Sequence, residues 1–557
     1  MDEIIIEDET FHIKYYAMKY ILIFLMFVSF LGHTQAQDSY WESAGKKFDN
    51  KDYQGALIDY QKAHNIKKDA GLAYNIGLCL KYLEDYKGAI YSFSEAIQLK
   101  PDNIDAYDQR GIVKFNTEDF YGAISDKYRA IELDEDNGEN ARRYLYVGIV
   151  KVNLKDDNGA NSDFEKALKI VPQIEKELMA ELYWRIGLNF EGLEKVSEAK
   201  ENYLKSIEIF PSMEAYKRLI YVSGYESKTI EYLSEAIKLF PNEAVFYFYR
   251  GKVHTMLDNH YAAISDFMRY NDLQTEENNL VEGYNGIALV KEKISDYKGA
   301  IDDHSKTLAI MIANTDYWPI ASIIEVYMLR GKSKKNLEDY IGALDDYSKA
   351  IEFAMKNEYE EKNEQIRKIW IAKYFLMLDL QDPDGAIAEI SKYLDYGLNI
   401  EENFFIEEAY YYRGQHKIRF EDYEGAIDEH SKQIKYASAL NDNKKISQAY
   451  NKRGEGYWNI NDFNSAIEDF SKAIELHEDE NYYTNRGESL GEIGKYAEAM
   501  VDINKALEIN PEYGWAYEER GIIKKYLNDL EGACADWKIG KKLGYDYVSE
   551  LIEKNCN

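Results

Sequence analysis

Cysteine is nearly absent from this chain. Three occur in 557 residues, at Cys79, Cys534 and Cys556. None forms a Cys-x-x-Cys pair, which excludes a zinc knuckle or a thioredoxin-type dithiol. Proline is scarce too, with seven residues, and no proline-rich, Gly/Ser-rich or low-complexity linker divides the chain. Positive charge is in deficit: 68 Lys and Arg face 100 Asp and Glu, a formal net charge of −32. A general nucleic-acid binder needs a basic footprint for phosphate, so no nucleic-acid partner is expected, and anionic membrane surfaces are equally disfavoured. No HExxH, EF-hand, GxSxG, GxGxxG or P-loop spacing occurs, and no carboxylate stands out by an apolar setting. The sequence therefore assigns no catalytic residue, no metal ligand and no cofactor site.

Long apolar runs are missing as well. Ile21 to Leu31 falls short of the roughly 20 residues of a membrane span. Met18-Lys19-Tyr20 precedes this run and Gly32-His33-Thr34-Gln35-Ala36 follows it. A short basic start, an apolar centre and a small-residue cleavage site make a signal peptide. Residues 1–17 are acidic where such a signal is basic. Residues 1–36 are thus read as an N-terminal extension plus signal peptide, with translation starting at Met18 and cleavage leaving Gln37 first. An uncleaved anchor helix is the alternative. Export to the periplasm, cell envelope or medium is expected, with no stable membrane span after cleavage. Residue 37 is not cysteine, so the site does not resemble a lipoprotein signal.

Aromatic residues make up 14% of the chain, with 50 tyrosines, a composition of folded rather than disordered proteins. Ala70–Asn103 sets the pattern that the rest repeats. Apolar residues three and four apart predict helices over 72–83 and 86–99. Glu84-Asp85 makes the turn, and Pro101 ends the second helix. Gly77 inside a helix costs about 1 kcal/mol relative to alanine, which close approach to Ala89 would offset. Large residues, Tyr86 and Phe93, flank that contact. The same marks (Tyr74, Gly77, Tyr86, Ala89, Phe93, Ala96, Pro101) recur along the chain at a spacing of about 34 residues, and the unit resembles the tetratricopeptide repeat (TPR).

That resemblance implies an all-α TPR solenoid, a right-handed superhelix of antiparallel helix pairs, closed by a C-terminal capping helix. About fourteen units fit the length. Residues 37–314 form the N-terminal half of the repeats. Residues 315–443 are repeats with longer spacing, through longer helices or longer loops. Residues 444–543 are regular repeats and 544–557 the cap. One unit is shortened, with residues missing from its turn around Gly224. Lys541-Lys542-Leu543-Gly544 closes the last repeat helix, and residues 546–554 read as one more helix. If those two helices are antiparallel, Cys534 and Cys556 meet, and an oxidising compartment permits a disulfide between them. Cys79 is expected as a free, buried thiol.

Arginine precedes the repeat glycine in seven units, at Arg110, Arg250, Arg330, Arg413, Arg453, Arg486 and Arg520. An acid stands sixteen residues on in each: Asp126, Asp266, Asp346, Glu429, Asp469, Asp502 and Asp536. An ion-pair ladder between packed helices is the plainer reading, and a row of anion-binding arginines the sharper one. His304 and His430 stand where other units have Phe or Tyr and are read as packing residues.

In TPR proteins the first helix of each pair lines the concave side, and ligands lie along it. Positions four and then three apart share one helix face. That rule puts Asn451, Glu455 and Trp458 in one row, Tyr411, Gln415 and Ile418 in another, and Met328, Lys332 and Lys335 in a more basic third. The Lys and Asn rows of a carboxylate clamp are lacking, so capture of a chaperone tail is unsupported. The expectation is an exported, non-enzymatic scaffold that binds protein or peptide segments in its groove. A glycan- or nutrient-binding envelope protein is the alternative, and a helical hydrolase the third reading.

Overall fold

A computed structural model describes residues 35–556 together with Met18, Lys19 and Leu22. The expected signal segment thus lies almost wholly outside the described residues. Among the described residues the chain is helical from α1 (35–49) to α29 (Val548–Asn555), with no strand. No described helix is long and apolar enough to cross a membrane. The chain divides into two compact units, residues 1–266 and 267–557. Each is a repeat solenoid in which helices pack on their neighbours in sequence, as α3 on α4 and α21 on α22.

The local chemistry of one turn explains the repeated pairs. Helix α3 (Ala70–Tyr82) ends at Leu83, and Glu84 turns the chain in the left-handed region at φ +61°. Asp85 then caps α4 (Tyr86–Leu99) by accepting a 3.0 Å hydrogen bond from the Gly88 N–H. A side-chain acceptor here satisfies an amide that the helix start leaves without a partner. The same Asp-x-x-Gly cap recurs at Asp52, Asp119, Asp156, Asp296, Asp339, Asp382, Asp422 and Asp529. The carboxylate presses on the glycine: a Cβ at Gly88 would lie 2.5 Å from Asp85 Oδ2. Where serine takes the glycine's place, at Ser465, the bond to Asp462 lengthens to 3.2 Å.

The repeat glycine serves the ring of the second helix more than the alanine. A Cβ at Gly77 would lie 2.6 Å from Phe93 Cε1, and one at Gly454 2.6 Å from Phe470 Cε1. Ala89 and Ala96 are fully buried beside these contacts. His430 fills the same place against Gly414. Its ring is fully buried, its Nδ1 lies 2.8 Å from Gln433 Oε1, and burial holds its pKa down at about 4. It packs as a neutral aromatic, and His304 is equally buried.

The stretched spacing comes from the helices, not the loops. Helices α20 (Pro383–Asn399), α21 (Asn403–Arg419), α22 (Tyr423–Ala439) and α23 (Asn443–Asn459) are each 17 residues long. In the reference pair, α3 has 13 and α4 has 14. The surplus is close to one extra turn per helix. In the shortened unit it is again the helix that changes. Its first helix, α11 (Met213–Ser223), has 11 residues, and the turn after it is intact. Gly224 ends that helix at φ +60°, ψ −146°, a conformation open essentially to glycine alone.

All seven arginines meet their acids. Arg110, Arg250, Arg330, Arg453, Arg486 and Arg520 each grip an aspartate with two hydrogen bonds of 2.6–3.0 Å. The third nitrogen of each reaches the second helix of the preceding pair, at Ser94, Ser234, Ser305, Ser431, Ser471 and Asn504. One guanidinium therefore ties three helices. Arg413 makes a single bond, 2.9 Å to Glu429, whose side chain is one methylene longer. Where the arginine is missing, a lysine one turn further along replaces it, as in Lys47–Asp59, Lys151–Asp163 and Lys291–Asp303. The arginines are committed to the frame and are not free for anions.

At the C-terminus, α28 (Leu530–Lys542) stops at Leu543, and Gly544 takes φ +85°. The cap α29 buries Val548 against Ala533 and Trp537. Cys534 and Cys556 are joined, with Cα atoms 5.6 Å apart, and Cys79 is free and buried.

Candidate functional site

A cavity of about 630 Å³ opens in the second unit, on the side formed by first helices. Its main wall is α23, which contributes Asn451, Lys452, Glu455 and Trp458. Helix α21 adds Tyr411. Helix α25 (Glu480–Glu492) adds Tyr482, Asn485 and Glu488, its cap residue Asp479 closes the edge, and α27 (Gly514–Tyr526) adds Trp515. First helices touch one another here, α21 on α23, α23 on α25 and α25 on α27, so one residue type can run from unit to unit.

Asparagine does so. Asn485 Nδ2 donates to Asn451 Oδ1 at 2.9 Å, and Asn451 Nδ2 donates to Glu455 Oε1 at 2.8 Å. Lys452 donates to both oxygens of Glu455 at 2.9 Å. Asp479 accepts from the Asn481 N–H at 2.9 Å and so fixes the start of α25. Trp458 sits edge-on to Phe463, and its N–H is buried without an acceptor; what it offers the cavity is ring surface.

Glu488 differs from the other acids. It is half-buried and has no hydrogen bond or ion pair among the described residues. Burial, then the charges of Glu492 and Glu518, push its carboxyl up to about 7. Behind it, burial raises Glu518 above the usual carboxylate range, against a hydrogen bond from Tyr545. Glu519, 7% exposed, lies well above that range through burial and then through Glu488 and Glu518. The cavity wall carries three carboxylates (Glu455, Asp479, Glu488) against one ammonium, Lys452. No cluster of side chains suited to a metal occurs among the described residues.

Of the residues singled out from the sequence, the cavity brings together Tyr411, Asn451, Glu455 and Trp458. Gln415, Met328, Lys332 and Lys335 lie elsewhere. Gln415 follows Tyr411 by one turn of α21 but does not line the cavity, and its Nε2 is buried without a partner. Met328 packs against the core, and Lys335 pairs with Asp379 at 2.6 Å. Glu488 was within reach of the sequence, because it follows Gly487 as Glu455 follows Gly454 and so occupies the position of Glu455 in the next unit. Asn485 and Trp515 fall outside the four-and-three row and carry no such signal.

Four segments, residues 70–103, 180–213, 447–480 and 480–513, match the tetratricopeptide repeat family. The last two supply most of the cavity wall. No curated protein matches the chain in sequence. Among solved structures it is similar to the MamA protein, at 24% identity, covering 31% of this chain and 91% of that one, with a TM-score of 0.29. It is also similar to yeast Tom70, at 18% identity over 75% of this chain and 95% of that one, TM-score 0.26. The Cut9–Hcn1 hetero-tetramer of the APC/C is a third, at 13% identity over 94% and 96%, TM-score 0.32. Likenesses this loose carry no argument about what the chain does.

Proposed function

We propose that this chain, a protein of tetratricopeptide repeats, is an exported, non-enzymatic scaffold that holds an extended segment of a partner protein against its first helices. The observation that carries this reading is the cavity around Asn451 and Trp458. It is concave, walled by rings and oriented amides, and built from helices whose frame is rigidly tied. Trp and Tyr bring large contact area and dominate binding hot spots. Amides in a fixed row can meet the exposed backbone of an extended chain.

The test is affinity capture from the source cell envelope, followed by binding measurements with the captured partner. Trp458→Ala is expected to weaken binding by about 1 kcal/mol or more, with helical content unchanged. Unchanged binding after joint replacement of Tyr411, Asn451, Glu455 and Trp458 would move the interface off this face. Rings beside amides and carboxylates also suit a sugar, so a glycan array is the parallel screen. Glycans retained with no protein captured would replace this reading by that of a glycan-binding envelope protein.

Export is proposed on the Met18–Ala36 segment alone. N-terminal sequencing of the native protein is expected to begin at Gln37; an intact Met1 or Met18 would refute processing.

A further inference from the structure

We propose that the cavity between α23, α25 and α27 is a receptor for one basic side chain, arginine or lysine, presented by the bound segment. This rests on the reading above, that a partner segment lies along the first helices, and adds which residue of that segment is read.

Charge is the first support. The wall holds Glu455, Asp479 and Glu488 against Lys452 alone, and Lys452 is already spent on Glu455. Glu488 is left with no cation of its own, and Glu492, Glu518 and Glu519 stand around it. An anionic ligand would meet three carboxylates for one ammonium.

The uncharged wall is the second and independent support. Trp458 and Trp515 both line the cavity with the amide row. With its N–H buried and unavailable, Trp458 can engage a ligand only through its ring, and a cation over an aromatic face is attracted by the ring quadrupole. The carboxylate of Glu488 is a free acceptor. A guanidinium carries five N–H donors and no acceptor, and an ammonium three. A neutral polar side chain would fill the space without using the charge. The volume, about 630 Å³, accommodates a long side chain together with the backbone that presents it.

Binding should depend on pH. Glu488 is faced by Glu492 on its own helix, by Glu518 and Glu519 from α27, and by Lys452, Glu455 and Asp479 around the cavity. With its carboxyl near 7, most of its charge appears between pH 6 and pH 8. A cationic guest should therefore bind about five- to ten-fold more tightly at pH 8 than at pH 6.

The experiment is an array of random heptapeptides probed with the labelled full chain at both pH values. Arg-, Lys- and citrulline-centred peptides are included as defined probes. Retained peptides are expected to be enriched at least five-fold in Arg or Lys at one position. Citrulline in place of Arg should abolish retention. Glu488→Gln should remove both the enrichment and the pH dependence, whereas Glu531→Gln, an exposed change on α28 away from the cavity, should leave both intact. Peptides retained without basic enrichment, or enrichment that survives Glu488→Gln, would overturn this proposal and leave the groove reading standing. An array that retains no peptide would overturn the groove reading and this proposal with it.

Discussion

Replacing Arg453 by alanine is expected to destabilise the repeats around it by about 3–5 kcal/mol, the usual cost of stranding one member of a buried ion pair. Arg453 grips Asp469 at 2.6 and 2.8 Å and reaches Ser431 on the preceding helix at 3.1 Å. Asp469 is 2% exposed. Among the described residues its only other cation is Lys472, 3.9 Å away on the same helix and half in water. Arg110, Arg330 and Arg520 have a lysine one turn on that also meets the aspartate; Arg453 has Tyr457 there. The loss should appear as faster hydrogen exchange in α23 and α24 (Phe463–Leu476), because each repeat leans only on its neighbours. The double variant Arg453→Met/Asp469→Leu should recover most of the stability, since an apolar pair of similar size leaves no charge stranded. Arg413→Ala should cost less, because Arg413 makes one bond where the others make two. Equal losses at positions 413 and 453 would mean that the arginines act through packing of their stems and not through the fork.

The frame was legible because it is written in residues whose size alone carries the message. Gly77, Ala89, Phe93, Ala96 and Pro101 fix two helices and their contact without any knowledge of the third dimension, although the glycine's nearest neighbour is the Phe93 ring and not Ala89. The Arg–acid spacing of sixteen was visible too. Its serine partner was not, because Ser94 stands sixteen residues before Arg110 while Ser305 stands 25 before Arg330, and longer helices shift the interval. The Asp-x-x-Gly cap was in plain view as well, its glycine set against the capping carboxylate. The cavity was only half legible. The four-and-three rule describes one helix, so it found Asn451, Glu455 and Trp458 on α23. A cavity is made by the offset between successive helices, and that offset brings in Asn485 and Trp515 from outside the row, while Glu488 holds on α25 the position that Glu455 holds on α23. Lys335 failed for the converse reason: it lies in such a row but is taken by Asp379 of a neighbouring helix.

The C-terminal repeats should lose stability as the pH rises from about 4.5 to about 7, against the common expectation for an acidic protein brought out of acid. Glu488 has its carboxyl at about 7 in the folded chain, against an ordinary 4.5. Below the lower value both folded and unfolded chains hold the proton, and the group contributes nothing unfavourable. Between the two values the unfolded chain releases its proton first, so unfolding becomes easier. Above the higher value the penalty is complete and constant, at most about 3 kcal/mol for this group. Glu519 is more deeply buried, is raised in the same direction by burial and by Glu488 and Glu518, and is opposed by a hydrogen bond from the Trp515 side chain. Glu519→Gln keeps the shape and removes the charge, so it should raise the melting temperature at pH 8 and leave it nearly unchanged at pH 4. Glu488→Gln should act in the same sense. Melts of wild type and both variants across this range provide the check through the difference in slope, which cancels the carboxylates elsewhere in the chain. Parallel curves for wild type and Glu519→Gln would mean that the three acids keep their ordinary titration. A basic side chain bound at Glu488 should relieve part of the same penalty, so a peptide that binds the cavity is expected to stabilise these repeats more at pH 8 than at pH 6.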